Sequence, residues 1–141
     1  MSYCTVTDLI QRYGAEVAQW ADRDQDGTPD PELIAAATAD VDAEIDAYLA
    51  ARYTLPLSTV PTVVVRIACA LVRERLALAL GARMDSVDPI RSESDAARRL
   101  LQSIGSGRAS IGVPNPAQTT DGVQMQTGVR VWNRNDSSGY L

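Results

Sequence analysis

Asp30-Pro-Glu-Leu-Ile-Ala-Ala-Ala-Thr-Ala-Asp-Val-Asp-Ala-Glu-Ile-Asp-Ala-Tyr-Leu49 decides the fold. Ile34, Ala37, Val41, Ile45, Tyr48 and Leu49 recur at three- and four-residue spacing and so share one face of a helix. Asp40, Asp42 and Asp46 fall on the flanks and back, and Glu44 lies at the edge of the stripe. Asp30 is a good N-cap and Pro31 fits the first helical position, where its missing N–H costs nothing. The spacing predicts an amphipathic helix over about Pro31 to Arg52 with an acidic outside.

Working outward, Tyr53-Thr-Leu-Pro-Leu57 is a Pro-containing connection, and a further helix is predicted from about Pro61 to Leu80, stopped by Gly81. From Val63 to Val72 only Arg66 is charged, which predicts a central helix covered by neighbours on several sides. The Val63-Val64-Val65 start suits a strand, but the length and the Ala/Leu-rich second half favour helix. A last helix is predicted to start with Asp88 as cap and Pro89 first, with Ile90, Ala97, Leu101 and Ile104 as its stripe and Gly105-Ser-Gly107 as its end. Before the acidic stretch, Thr7 to Tyr13 is predicted as a short helix capped by Thr7 and closed by Gly14. A further turn is expected over Ala15 to Trp20. The expectation is an all-α fold, a bundle of about four helices over residues 1–112, with a core containing Ile34, Val41, Ile45, Ile67, Leu71, Leu101 and Ile104.

After Gly112 the pattern changes. Pro114-Asn-Pro116 and the polar residues beyond form no helical stripe. Val123, Met125, Val129 and Val131 alternate with polar residues around Thr127-Gly128, so residues 113–141 are expected as an extended C-terminal arm or a short β-hairpin. One hairpin cannot bury both faces. Such a segment gains partners on another chain, which makes Val129, Arg130, Val131, Trp132 and Arg134 the candidate partner-binding residues.

The 141 residues suffice for one domain with its own core, without obligatory disulfides or metals. The chain has no His, no Phe and no Lys; all 13 basic residues are Arg. Without His, Ser-His-Asp and Cys-His catalysis and His-ligated zinc are excluded. Cys4 and Cys69 are too few for a zinc site or a disulfide framework, Cys69 suits a small core residue, and both thiols are expected reduced. No catalytic set is found, and the expectation is a non-enzyme that requires no cofactor.

Net charge is −5, unevenly spread: residues 1–60 carry −8, residues 61–110 carry +3, and residues 111–141 are neutral. An acidic balance argues against tight binding to nucleic acid or an anionic membrane. The division suits either self-association or a solvated acidic face beside a basic one. Arg66 and Arg73, seven apart on the central helix, suit an interface seam or ion pairs with the acidic helix, and the intramolecular pairing is the expectation. Met1 to Ile10 shows no targeting pattern, and charges interrupt the most apolar run, so a soluble intracellular product is expected.

Asp22-Arg-Asp24-Gln-Asp26-Gly27-Thr28-Pro29-Asp30 matches the first half of an EF-hand calcium loop. Asp22, Asp24, Asp26, the Thr28 carbonyl and Asp30 would occupy its first, third, fifth, seventh and ninth positions, with Gly27 at the sharp turn. Leu33 stands where the closing bidentate Glu belongs, and Glu32 is one residue early. Two roles stay open: a lone, weak Ca²⁺ site serving a calcium-dependent interaction module, or an acidic entry to the helix. Gly105-Ser-Gly107-Arg108-Ala-Ser110-Ile-Gly112 follows a helix and lacks Lys, so it fits a helix end and not a phosphate loop.

Several stretches, taken in order, resemble one family. They are Thr7-Asp-Leu-Ile-Gln-Arg-Tyr-Gly14, Asp22-Arg-Asp-Gln-Asp-Gly27, Ala43-Glu-Ile-Asp-Ala-Tyr-Leu49 and Arg52-Tyr-Thr-Leu-Pro-Leu57, followed by Gly107-Arg-Ala-Ser-Ile-Gly112 and Arg130-Val-Trp-Asn-Arg-Asn-Asp136. Together they resemble the Mu-like phage family long labelled a domain of unknown function, whose members are placed as head–tail connector, or head-completion adaptor, proteins. The family pattern often has Phe and a longer charged ending where this chain has Trp132 and Asn133. The resemblance implies a structural protein of the virion neck, assembled in the bacterial host cytoplasm. It would form a ring of twelve copies between the portal protein and a tail-side stopper or tail-completion protein, with no membrane partner. At −5 per chain, such a ring would carry about −60 and line a passage that phage DNA crosses without being gripped.

Overall fold

The computed structural model describes residues 2–24, 26–79 and 84–114. In chain order the elements are α1 (Val6–Tyr13), the single turn α2 (Glu16–Gln19), α3 (Pro31–Leu49), α4 (Thr62–Ala79) and α5 (Met84–Gly105). The described residues form an all-α bundle without strands. The arm residues Val123 to Trp132, and with them every candidate partner-binding residue, lie outside the described residues, as does Gly81.

α1 begins at a capping box two residues ahead of the expected cap. The Asp8 amide donates to Thr5 Oγ1 at 3.2 Å, and the Thr5 amide donates to an Asp8 carboxylate oxygen at 2.9 Å. Thr5, not Thr7, therefore satisfies the helix start, because only Thr5 has an acid three residues on that can return the bond. That hydrogen bonding from Thr5 holds the Asp8 carboxyl below its ordinary pKa.

In α3 the predicted stripe is the buried face: Ile34, Ala37, Val41, Ile45 and Leu49. Pro31 opens the helix and Asp30 stands at the N-cap position, but its carboxylate makes no capping bond. It accepts instead from the Arg23 amide at 3.2 Å, tying the helix to the acidic loop before it. The helix ends at Leu49, short of Arg52. The Leu49 carbonyl accepts both the Arg52 and Tyr53 amides at 2.9 Å, a tight turn that delivers Tyr53 into the core.

α4 is the centre. It packs against α3, α5 and α1, and buries Val64 and the unbroken row Ile67, Ala68, Cys69, Ala70, Leu71 and Val72. All seven residues named as core join one cluster with these side chains. α5 departs from expectation at its start. Asp88 is not its cap and Pro89 not its first residue; the helix starts at Met84 and Pro89 lies inside it. Asp88-Pro89 resembles a helix entry because Pro suits a first turn, but one Pro in the second turn removes only one hydrogen bond. Beyond it Ile90, Ala97, Leu101 and Ile104 are buried as predicted.

The Gly-rich stretch after α5 is a helix end. The Gly107 amide donates to the Ile104 carbonyl at 3.1 Å and the Ala109 amide to the Ser103 carbonyl at 3.0 Å. Gly107 has φ +83°, and a Cβ there would stand 2.2 Å from an Arg52 guanidinium nitrogen. Ile111 then returns to the core, its amide donating to the Tyr53 hydroxyl at 3.4 Å.

Candidate functional site

The acidic loop is built by its own side chains. Asp22 accepts from the Asp26 amide at 3.1 Å and from the Gly27 amide at 2.9 Å, so one carboxylate gathers the backbone into a curl. Gly27, at φ +88°, supplies the left-handed turn that L side chains resist. Asp26 in turn accepts from the Thr28 amide at 2.7 Å and from the Thr28 hydroxyl. As a result one carboxylate oxygen each from Asp22, Asp24 and Asp26 lies within 4.8 Å of the others.

Such crowding has an electrostatic cost. The Asp26 charge pushes the Asp24 carboxyl above its ordinary pKa, while the Thr28 hydrogen bonds hold Asp26 below it. A hard divalent cation would relieve the repulsion, and three carboxylates plus a backbone carbonyl are the oxygen donors Ca²⁺ takes. The closing ligand is the weak point. Leu33 packs against the core cluster and Glu32 is exposed in the first turn of α3. Asp30, expected at the ninth position, is engaged with the Arg23 amide. Of the four named carboxylates, those of Asp22, Asp24 and Asp26 converge and that of Asp30 does not join them.

A second polar cluster crosses the bundle. Arg98 of α5 reaches Glu74 of α4 at 2.6 Å and Glu44 of α3 at 3.1 Å, and Arg75 reaches Glu44 at 3.4 Å and Asp40 at 3.2 Å. Glu74 is only 7% exposed, so its charge depends on Arg98. The Glu74 hydrogen bond, more than that of Glu44, raises the Arg98 pKa. The acidic helix is therefore answered by Arg75 and Arg98, not by Arg66 and Arg73 as expected. Arg66 is exposed and has no ion pair among the described residues. Arg73 turns the other way, to Glu93 of α5 at 2.9 Å, and its guanidinium lies 4.4 Å from the Tyr13 ring centroid and 5.7 Å from that of Trp20. The reason is helical geometry: seven residues bring Arg66 and Arg73 near one face, and that face of α4 looks at α5 and α1.

The segment ahead of α1 is also pinned. The Tyr3 amide donates to Asp42 at 3.0 Å and the Tyr3 hydroxyl donates to Asp46, both on α3. Burial, then the Asp46 bond, pushes the Tyr3 phenol up. Asp42 and Asp46, expected on a solvated flank, are thus partly spent inside the molecule. Beside this segment lies an apolar groove of about 670 Å³ between Ser2–Val6 and the first half of α3, lined by Cys4, Val6, Ile34 and Thr38. Nothing in the alternation of α3 alone announced it, since its other wall is the N-terminal segment.

Comparison with known proteins now places the chain. Residues 3–127 match the family model described as Bacteriophage Mu, Gp36. The chain is 31% identical over 145 aligned positions to the Mu-like prophage FluMu protein gp36 of Haemophilus influenzae, covering 99% of this chain and 98% of that protein. It is 44% identical over 71 positions to Gene product J of Escherichia phage Mu, covering 49% of this chain and 50% of that protein. It is a bacteriophage protein of the helical kind built above. The chain belongs to the Mu Gp36 family. Among the described residues no helix is long and apolar enough to cross a membrane.

Proposed function

We propose that this protein is a structural head–tail connector of Mu-like phage, without catalytic activity. Copies form a ring in the virion neck, between the portal and a tail-side stopper or tail-completion protein, and line the DNA passage. The supporting observation is membership of the Mu Gp36 family across residues 3–127, combined with an all-α bundle over the described residues. In this reading the C-terminal segment makes contacts between chains, with Val129, Val131 and Trp132 as anchors and Arg130 and Arg134 beside them. The net charge of −5 per chain keeps the ring from gripping DNA. Twelve copies match the symmetry that the family resemblance implies for a portal.

Deleting residues 117–141 tests this division of labour. Helix content and melting temperature should stay nearly unchanged, while binding to portal-bearing heads and completion of virions fail. Normal assembly by the truncated chain would show that the arm is not the interface.

A second role rests on the three converging carboxylates of Asp22, Asp24 and Asp26. If the loop holds Ca²⁺, a tenfold excess over Kd should stabilise the fold by about 1.4 kcal/mol, and Asp24→Asn should remove that gain. Absence of heat in titration calorimetry at millimolar Ca²⁺ would leave the loop only its helix-entry role.

A further inference from the structure

Cys4 and Cys69 are 65 positions apart in sequence, yet their sulfurs stand 3.1 Å from each other in the interior. Cys4 belongs to the extended segment ahead of α1, and Cys69 to the apolar middle of α4. This contact links that segment directly to the central helix, while the Tyr3 bonds tie it to α3. Both thiols are free, and the sulfurs need close by only about 1 Å to reach a disulfide bond length. Cys4 is only 3% exposed but lines the 670 Å³ groove, whereas Cys69 does not.

We propose that Cys4 and Cys69 form a reversible intramolecular disulfide by exchange with a small disulfide of the glutathione class, stapling the N-terminal segment to α4. The exchange balances. One cysteine loses its proton and attacks the small disulfide, whose S–S bond breaks to release a first thiol. The second cysteine loses its proton and attacks the protein sulfur of the mixed disulfide, and a second thiol leaves. Two protein thiols are oxidised by two electrons, the small disulfide is reduced by two, and the two protons end on the released thiols. Cys4, the one that lines the groove, is placed to meet the small disulfide, and Cys69, 3.1 Å away, then closes the bond.

The consequence follows from compartment. A host cytoplasm keeps the pair reduced, and release into an oxidising medium favours the bond. That consequence rests on the placement of the protein in the particle; the bond does not, so the two fail separately.

The test uses the full-length protein held in oxidised or reduced glutathione at neutral pH. In the oxidised sample the intact mass should drop by two hydrogens. Unreduced tryptic maps should join the peptide Met1–Arg12 to Ile67–Arg73. Closing so long a loop should raise the melting temperature by about 10 °C over the reduced sample. Cys4→Ser and Cys69→Ser should each lose both effects, and the wild-type mass and map decide the matter even where a variant folds poorly. Two free thiols after prolonged oxidation, a lasting glutathione adduct without closure, or disulfide-linked dimers would each overturn the proposal.

Discussion

Ile45→Ala is expected to lower the free energy of unfolding by about 4 kcal/mol. Ile45 is fully buried on α3, in the one cluster that also holds Ile67, Leu71, Leu101 and Ile104. Removing three carbons there forfeits their transfer free energy and leaves a cavity that helices held on several sides cannot close. Equilibrium urea unfolding should show a lower midpoint with an unchanged slope, the mark of lost stability without a changed fold. A midpoint equal to that of the wild type would mean that the α3 stripe does not face the core.

The second large effect is electrostatic. Arg98→Met should cost about 3 kcal/mol, at the low end for a buried pair because the Arg98 side chain keeps 31% of its exposure. Almost all of that cost arises at Glu74, which is buried and would lose its 2.6 Å partner, whereas Glu44 retains Arg75. Adding Glu74→Gln to Arg98→Met should therefore recover about 1 kcal/mol or more, since a neutral amide is cheaper to leave buried than a carboxylate. Strictly additive losses in the two single variants and the double variant would show that the pair is not coupled.

These two residues also mark what a linear sequence can and cannot reveal. Ile45 was legible because helical burial repeats every three or four residues, and the stripe from Ile34 to Leu49 carries that period without interruption. The partner of Arg98 was not, because an ion pair joining α3, α4 and α5 depends on how helices cross, and periodicity fixes only which face looks inward. Glu44 at the edge of its stripe was the available hint. The same limit explains the exchange of Arg66 and Arg73 for Arg75 and Arg98 as answers to the acidic helix.

Helix starts were misplaced for a local reason. Both Thr5 and Thr7 are acceptable caps, and the reciprocal bond from Asp8 chooses Thr5. Asp88-Pro89 carries the composition of an entry, yet a Pro in the second turn costs only one hydrogen bond and α5 runs through it. At the acidic loop, spacing alone located the carboxylates that converge, since an Asx-rich curl around Gly27 is a short-range structure. The proximity of Cys4 to Cys69 is the opposite case, a contact across 65 positions that only the assembled bundle creates.

The central claim is a place in the virion neck, and electron microscopy of portal-bearing heads mixed with the purified protein tests it most directly. The account predicts a ring of twelve helical bundles seated on the tail-facing side of the portal, with the C-terminal segment of each chain running onto a neighbour or the portal. Portals that stay bare, with the protein found instead in another part of the particle, would contradict it.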